Sequence, residues 1–151
     1  IFIYDLNINN SNIINYLNIS FFNHIEKDES KHSYITKSKS VLNDLPDLKN
    51  QISKAINHLI NNILKTQTDF SIHNSWGNDH LNQFYSIPSE HNIYNTKEWL
   101  ITPKENQLIL FFSNLRHKIL FNKSNEKRYS IAFNVLPNGT FGSGDSEINF
   151  K

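Results

Sequence analysis

The sequence predicts a single α+β domain over residues 1–151, a jelly roll with helices in the first half and strands in the second. Three observations predict it. Apolar residues recur twice at helical spacing before Lys65. From Asp69 onward the pattern changes to short runs of β-forming residues broken by Pro, Asn and Lys clusters. No internal repeat and no long linker divides the chain. The helical part extends to about residue 68, and the jelly-roll part covers about 69–151.

Ile1 to Leu6 reads as a short strand, and Ile14, Leu17, Phe21 and Ile25 then mark a helix ending near Lys27. A polar stretch, Glu29 to Ser40, follows. Pro46 and Asp47 suit a first helical turn, and Leu48, Ile52, Ala55, Ile56, Leu59 and Ile63 give a second helix its apolar stripe. Asp69 to Trp76 carries the β-formers Phe70, Ile72 and Trp76. Four further strands are predicted at Glu98–Ile101, Gln107–Phe112, His117–Phe121 and Arg128–Val135. Gln107–Phe112 is almost continuously apolar, as expected of a central strand covered on both faces.

Composition narrows the function. The chain has 38% hydrophobic residues and a mean hydropathy of −0.51, which predicts a soluble protein with a rather polar core. Its net charge is +1 with acidic and basic residues interleaved, so it lacks the concentrated basic stripe of a nucleic-acid binder. No apolar run approaches a membrane span, and the first residues lack the charged flank of a signal peptide, which points to the cytoplasm. Asn is abundant in expected helical and loop segments alike, a coding bias and not a prion-like tract. Met is absent throughout, and the expectation is that residues are missing from the sequence. Cys is absent too, so a bound metal must use His, Asp or Glu, and seven His are present.

The last third carries the chemistry. Strand alternation gathers Arg128, Ser130, Ala132 and Asn134 on one face of their strand and Tyr129, Ile131 and Phe133 on the other. The polar face of such a strand can line a ligand cavity while the apolar face packs beneath helices. The simpler alternative is a single core on the Tyr129 side with Arg128 and Ser130 facing water. His117 shares its face with Ile119 and Phe121, a setting in which a structural histidine is common. A turn over Asn122–Lys127 would bring His117 and Arg128 to the same wall. Arg suits a carboxylate there, because its planar fork makes paired charge-assisted hydrogen bonds and Ser130 adds a hydroxyl.

The run from Thr102 to Ser113, His117, and Arg128-Tyr-Ser-Ile-Ala-Phe-Asn134 resembles the C-terminal half of the 2-oxoglutarate and iron(II)-dependent oxygenases common in phage and marine bacteria. The similarity continues upstream through Lys39-Ser-Val-Leu42, the helix from Pro46, and Phe70-Ser-Ile-His-Asn-Ser-Trp76. The resemblance implies a double-stranded β-helix, a cupin-like jelly roll with N-terminal helices packed on the sheet. It implies iron(II) held by two His and a carboxylate, with 2-oxoglutarate as co-substrate. By the same match His117 is the distal His, Arg128 binds the far carboxylate of 2-oxoglutarate, and Ser130 assists.

Where the family shows a His-x-His-Pro-Asn-Ser segment, this chain has His80-Leu-Asn82-Gln-Phe84-Tyr85-Ser86. His80 aligns with a metal ligand, and Asp79 is the available oxygen donor. His24-Ile25-Glu26, within the expected first helix, is discounted. The short separation of His80 from His117 predicts missing residues between Gly77 and Ile93. The implied activity is a dioxygenase that converts 2-oxoglutarate to succinate and CO2 while hydroxylating an unidentified substrate, and a homodimer is the expected assembly. The rivals are a noncatalytic jelly-roll binding module and a phage structural module, each without the metal site.

Overall fold

The computed structural model describes residues 1–20, 22–24, 33–66, 68–80, 100–115, 117, 119, 124, 126–141 and 144–150. Strand β1, Phe2–Asp5, leads to helix α1, Asn10–Ile19, whose first turn is capped by the Asn9 side chain accepting from the Ser11 N–H at 2.9 Å. Two short strands follow, β2 at Phe22–His24 and β3 at Ser33–Thr36. A 3-10 turn at Val41–Asn43 then delivers the chain to helix α2, Pro46–His58, which continues into a π-helical turn over Leu59–Leu64.

The later strands are β4, Phe70–His80; β5, Gln107–Leu110; β6, Arg128–Pro137; β7, Gly139–Phe141; and β8, Ile148–Phe150. The chain is therefore α+β with antiparallel sheets. Among the described residues, the main sheet has the order β2-β3-β4-β6, and β1 with β5 and β7 with β8 form two-stranded sheets. No helix among the described residues is long and apolar enough to cross a membrane.

The core lies between α2 and the sheets. Val41, Leu42, Leu45, Leu48, Ile52, Ala55, Ile56, Ile60 and Leu108 form one buried cluster, against which Phe70, Ile72, Ile131, Phe133 and Val135 pack from β4 and β6. Helix α1 sits further along the same side of the sheet, where Leu17 is 1% exposed. Its Tyr16 hydroxyl donates to Asp44 Oδ2 at 2.8 Å, tying the helix to the turn before α2.

Several elements differ from expectation. The first helix stops at Ile19, where Ser20 turns to an extended conformation (ψ 142°) and its hydroxyl donates to the Tyr16 carbonyl; Phe22–His24 then pairs with β3 as a strand. Ile25 and Lys27 lie outside the described residues. The polar stretch contains β3, whose Tyr34, Ile35 and Thr36 are good strand formers. In α2 the π turn shifts the stripe by a residue, so Ile60 is buried at 5% exposure and Ile63 stands 47% exposed.

Among the described residues strand β5 is not central. Its one described partner is β1, and Phe111 and Phe112 continue as exposed irregular chain, with Phe112 edge-on to Phe2 at 6.5 Å. Its apolar run reflects inward Leu108 followed by an aromatic surface, not burial on two faces. Of the expected strand His117–Phe121, the described residues His117 and Ile119 have no strand geometry and Ile119 is exposed, while Lys118, Leu120 and Phe121 lie outside the described residues. Leu100 and Ile101 are irregular, and Glu98 and Trp99 lie outside the described residues. Gly77 to His80 continue β4, and residues 81–99, where the missing residues were expected, lie outside the described set.

Candidate functional site

The β4–β6 ladder is the longest among the described residues and sets the geometry of the site. Its register pairs His80 with Arg128, Asp79 with Tyr129, Asn78 with Ser130, Gly77 with Ile131, Trp76 with Ala132 and Asn74 with Asn134. Directly opposed residues of an antiparallel pair project to the same side. Asn74, Trp76 and Asn78 therefore share one face with Arg128, Ser130, Ala132 and Asn134. Ser75, Gly77 and Asp79 share the other with Tyr129, Ile131 and Phe133. A bulge at His73 precedes this stretch, so the apolar face stays continuous through Phe70 and Ile72.

The second face is the one beneath the helices. Ser75 Oγ accepts from the Leu42 N–H at 2.9 Å, Tyr129 donates to Asn18 Oδ1 of α1 at 2.6 Å, and Thr36 Oγ1 accepts from the Gly77 N–H at 3.0 Å. The division read from alternation along Arg128 to Asn134 is thus the division found, with Ile131 and Phe133 packed on the core.

The first face is polar and partly enclosed. Arg128, Ser130 and Ala132 are half-buried, and Asn78 is 8% exposed. Burial lowers the Arg128 guanidinium below its ordinary pKa, since a charge withdrawn from water is disfavoured. The guanidinium remains a cation, and a carboxylate would compensate that desolvation. Further along the face, Asn134 donates to Asn74 Oδ1 at 2.9 Å, and the Lys39 ammonium lies 5.6 Å from the centre of the Trp76 ring.

The remaining candidates are distributed unevenly. His80 stands at the register position opposite Arg128, and its side chain is outside the described set. Asp79, one residue earlier, is buried on the helix face, with Oδ2 3.9 Å from Lys127 Nζ and Oδ1 unpartnered among the described residues. Burial raises its pKa, and Lys127 partly opposes the rise. His117 is exposed in the irregular chain after β5, its ring 4.6 Å from that of Phe111 and its Nδ1 3.0 Å from the Leu115 carbonyl oxygen. A carbonyl only accepts, so Nδ1 carries the proton and Nε2 of the neutral ring is left as a donor for a metal. His24 belongs to β2 and not to the first helix, and Glu26 lies outside the described residues.

The family described as "Putative 2OG-Fe(II) oxygenase" matches residues 31–134, more than half of the chain. The chain belongs to that oxygenase family. No curated protein and no solved structure matches it. The matched stretch begins just before β3 and ends within β6, so it contains α2, β4 and most of β6 but not β1 or α1.

Family membership implies iron(II) and 2-oxoglutarate, and the residues meet the two differently. A half-buried guanidinium with a hydroxyl two residues on, facing a buried amide, fits the carboxylate of an oxygenase co-substrate. Among the described residues no three His, Cys, Asp or Glu side chains stand close enough to hold a metal ion. Asp79 is on the face opposite Arg128, and His117 is outside the ladder. Asn78 was not among the residues singled out from sequence; strand alternation from Trp76 could have flagged it, but its opposition to Ser130 depends on a register that the sequence does not spell out.

Proposed function

We propose that this oxygenase is an iron(II) and 2-oxoglutarate-dependent dioxygenase, coupling conversion of 2-oxoglutarate to succinate and CO2 with hydroxylation of a second substrate. The observation that carries the proposal is the polar face of β6, where Arg128 and Ser130 project together into a partly enclosed surface opposite Asn78. In this reading the strands belong to a double-stranded β-helix, and the antiparallel β3-β4-β6 sheet under the helices supports it.

Arg128 holds the far carboxylate of 2-oxoglutarate with its two parallel N–H donors, and Ser130 adds a hydroxyl on the same side. His80 and His117 supply nitrogen donors to iron. For His117 the support is the proton fixed on Nδ1 by the Leu115 carbonyl, and for His80 its register position beside Arg128. Asp79, the oxygen donor offered by the sequence, would reach the same face only if the end of β4 turned over. Iron, when bound, supplies the dioxygen chemistry; the protein contributes binding, orientation and exclusion of water.

A second reading, a binding module that keeps the diacid clamp without turnover, is favoured by the absence of a three-donor cluster among the described residues. Succinate formation decides between them. The native chain with iron(II), ascorbate, O2 and 2-oxoglutarate is expected to release succinate, and Arg128→Ala to lose at least 90% of that rate, roughly the effect of one charged hydrogen-bonding partner. Diacid binding with no iron-dependent succinate would establish the binding module instead.

A further inference from the structure

We propose that Asn78 is a binding residue for the co-substrate, its side-chain amide completing the carboxylate site formed by Arg128 and Ser130. The inference rests on the 2-oxoglutarate reading above and adds a neutral third donor to it.

Asn78 is 8% exposed and pairs directly with Ser130, a relationship that sets the two Cβ atoms about 4.5–5.5 Å apart on one face. Its neighbour on the other side is Ile35 of β3, which has no polar group to offer. Among the described residues the Asn78 amide makes no side-chain hydrogen bond. Two rungs along the same ladder, the Asn74 and Asn134 amides satisfy one another at 2.9 Å. Neither polar atom of the Asn78 amide is both fully buried and unpartnered, so the amide is open to the polar face, where a ligand can reach it. A carboxylate oxygen above Ser130 would accept from Asn78 Nδ2, and the amide would then be satisfied by the ligand.

The chemistry also explains the residue type. A carboxylate presents about four lone-pair sites, more than the fork of one Arg fills, and a hydroxyl and an amide can take the rest. A neutral amide adds a hydrogen bond without a second cation, so the site keeps one positive charge for one carboxylate. An Asp at this position would keep the shape and repel the ligand.

The test is calorimetric titration of the full chain with glutarate, a diacid without the keto group, so that binding reports the carboxylate site and needs no metal. Asn78→Leu is expected to weaken glutarate about tenfold and Asn78→Asp about a hundredfold, with melting temperatures close to that of the native chain. For 2-oxoglutarate turnover, KM rises in both variants while kcat changes little, a split that a merely structural role for Asn78 does not give. Asn78→Asp keeps the side-chain shape, so it preserves the test should Asn78→Leu fold poorly. Native-like glutarate affinity in both variants overturns the role of Asn78 and leaves the Arg128 and Ser130 reading standing. A native chain that neither binds glutarate nor forms succinate overturns both.

Discussion

Gly77 lies directly beneath Leu17: a Cβ on Gly77 would stand 2.5 Å from Leu17 Cδ2 and 3.1 Å from Thr36 Cγ2. Leu17 is 1% exposed, so its side-chain end would have to shift within the core to admit a methyl group. This close approach seats α1 on the apolar face of β4, leaving the opposite face of the same strand to Asn78 and the polar row. Gly77→Ala is therefore expected to destabilise the fold by about 1–3 kcal/mol, the usual cost of overpacking. Denaturant unfolding measures it, and combining Gly77→Ala with Leu17→Ala should cost less than the two changes summed. Unchanged stability in the single variant would show that α1 is not seated there.

Ser75 joins the sheet to the core by a second route. Its hydroxyl accepts from the Leu42 N–H at 2.9 Å, and both residues are buried. Ser75→Ala strands that N–H without a partner and is expected to cost about 1–3 kcal/mol. Faster hydrogen exchange at the Leu42 amide should accompany the loss; an unchanged exchange rate would contradict the assignment.

Asp79 gives a pH dependence of definite sign. Burial raises its folded-state pKa above the ordinary aspartate value, so the folded state holds the proton more tightly than the unfolded chain. Above the raised folded pKa both states are ionised and the buried charge costs stability, offset in part by Lys127 at 3.9 Å. As pH falls through the raised folded pKa toward the ordinary value, protonation relieves that cost. Asp79→Asn should raise the melting temperature at pH 7, and its advantage should shrink on acidification through that window. An advantage independent of pH would mean that the charge is not the cause.

Much of the fold was legible because helical periodicity and strand alternation are strong signals where one face is buried. Leu48, Ile52, Ala55 and Ile56 identify α2, and the two faces of β6 can be read from Arg128 to Asn134 alone. The misses have local causes. Phe21 and Ile25 extend the helical spacing past Ser20, where the chain nevertheless turns extended and the helix ends. Ile63 fits an α-helical stripe, but the π turn carries it outward. β3 hides in a polar stretch because its stability comes from pairing with β2 and β4 and not from its own composition. For the site, residue types suggested Arg128 and Ser130, whereas the opposition of Asn78 to Ser130 and the separation of Asp79 from Arg128 are properties of register.

The central claim is that one site holds both a metal and a diacid, and thermodynamic coupling tests it most directly. Titrating the native chain with 2-oxoglutarate, with and without manganese(II) as a redox-quiet substitute for iron, should show at least about tenfold tighter binding with metal, and the reciprocal effect on manganese affinity. Arg128→Lys should weaken the diacid with or without metal, because an ammonium cannot reproduce the fork, and His117→Ala should abolish the coupling. Metal and 2-oxoglutarate that bind independently of one another would contradict the account.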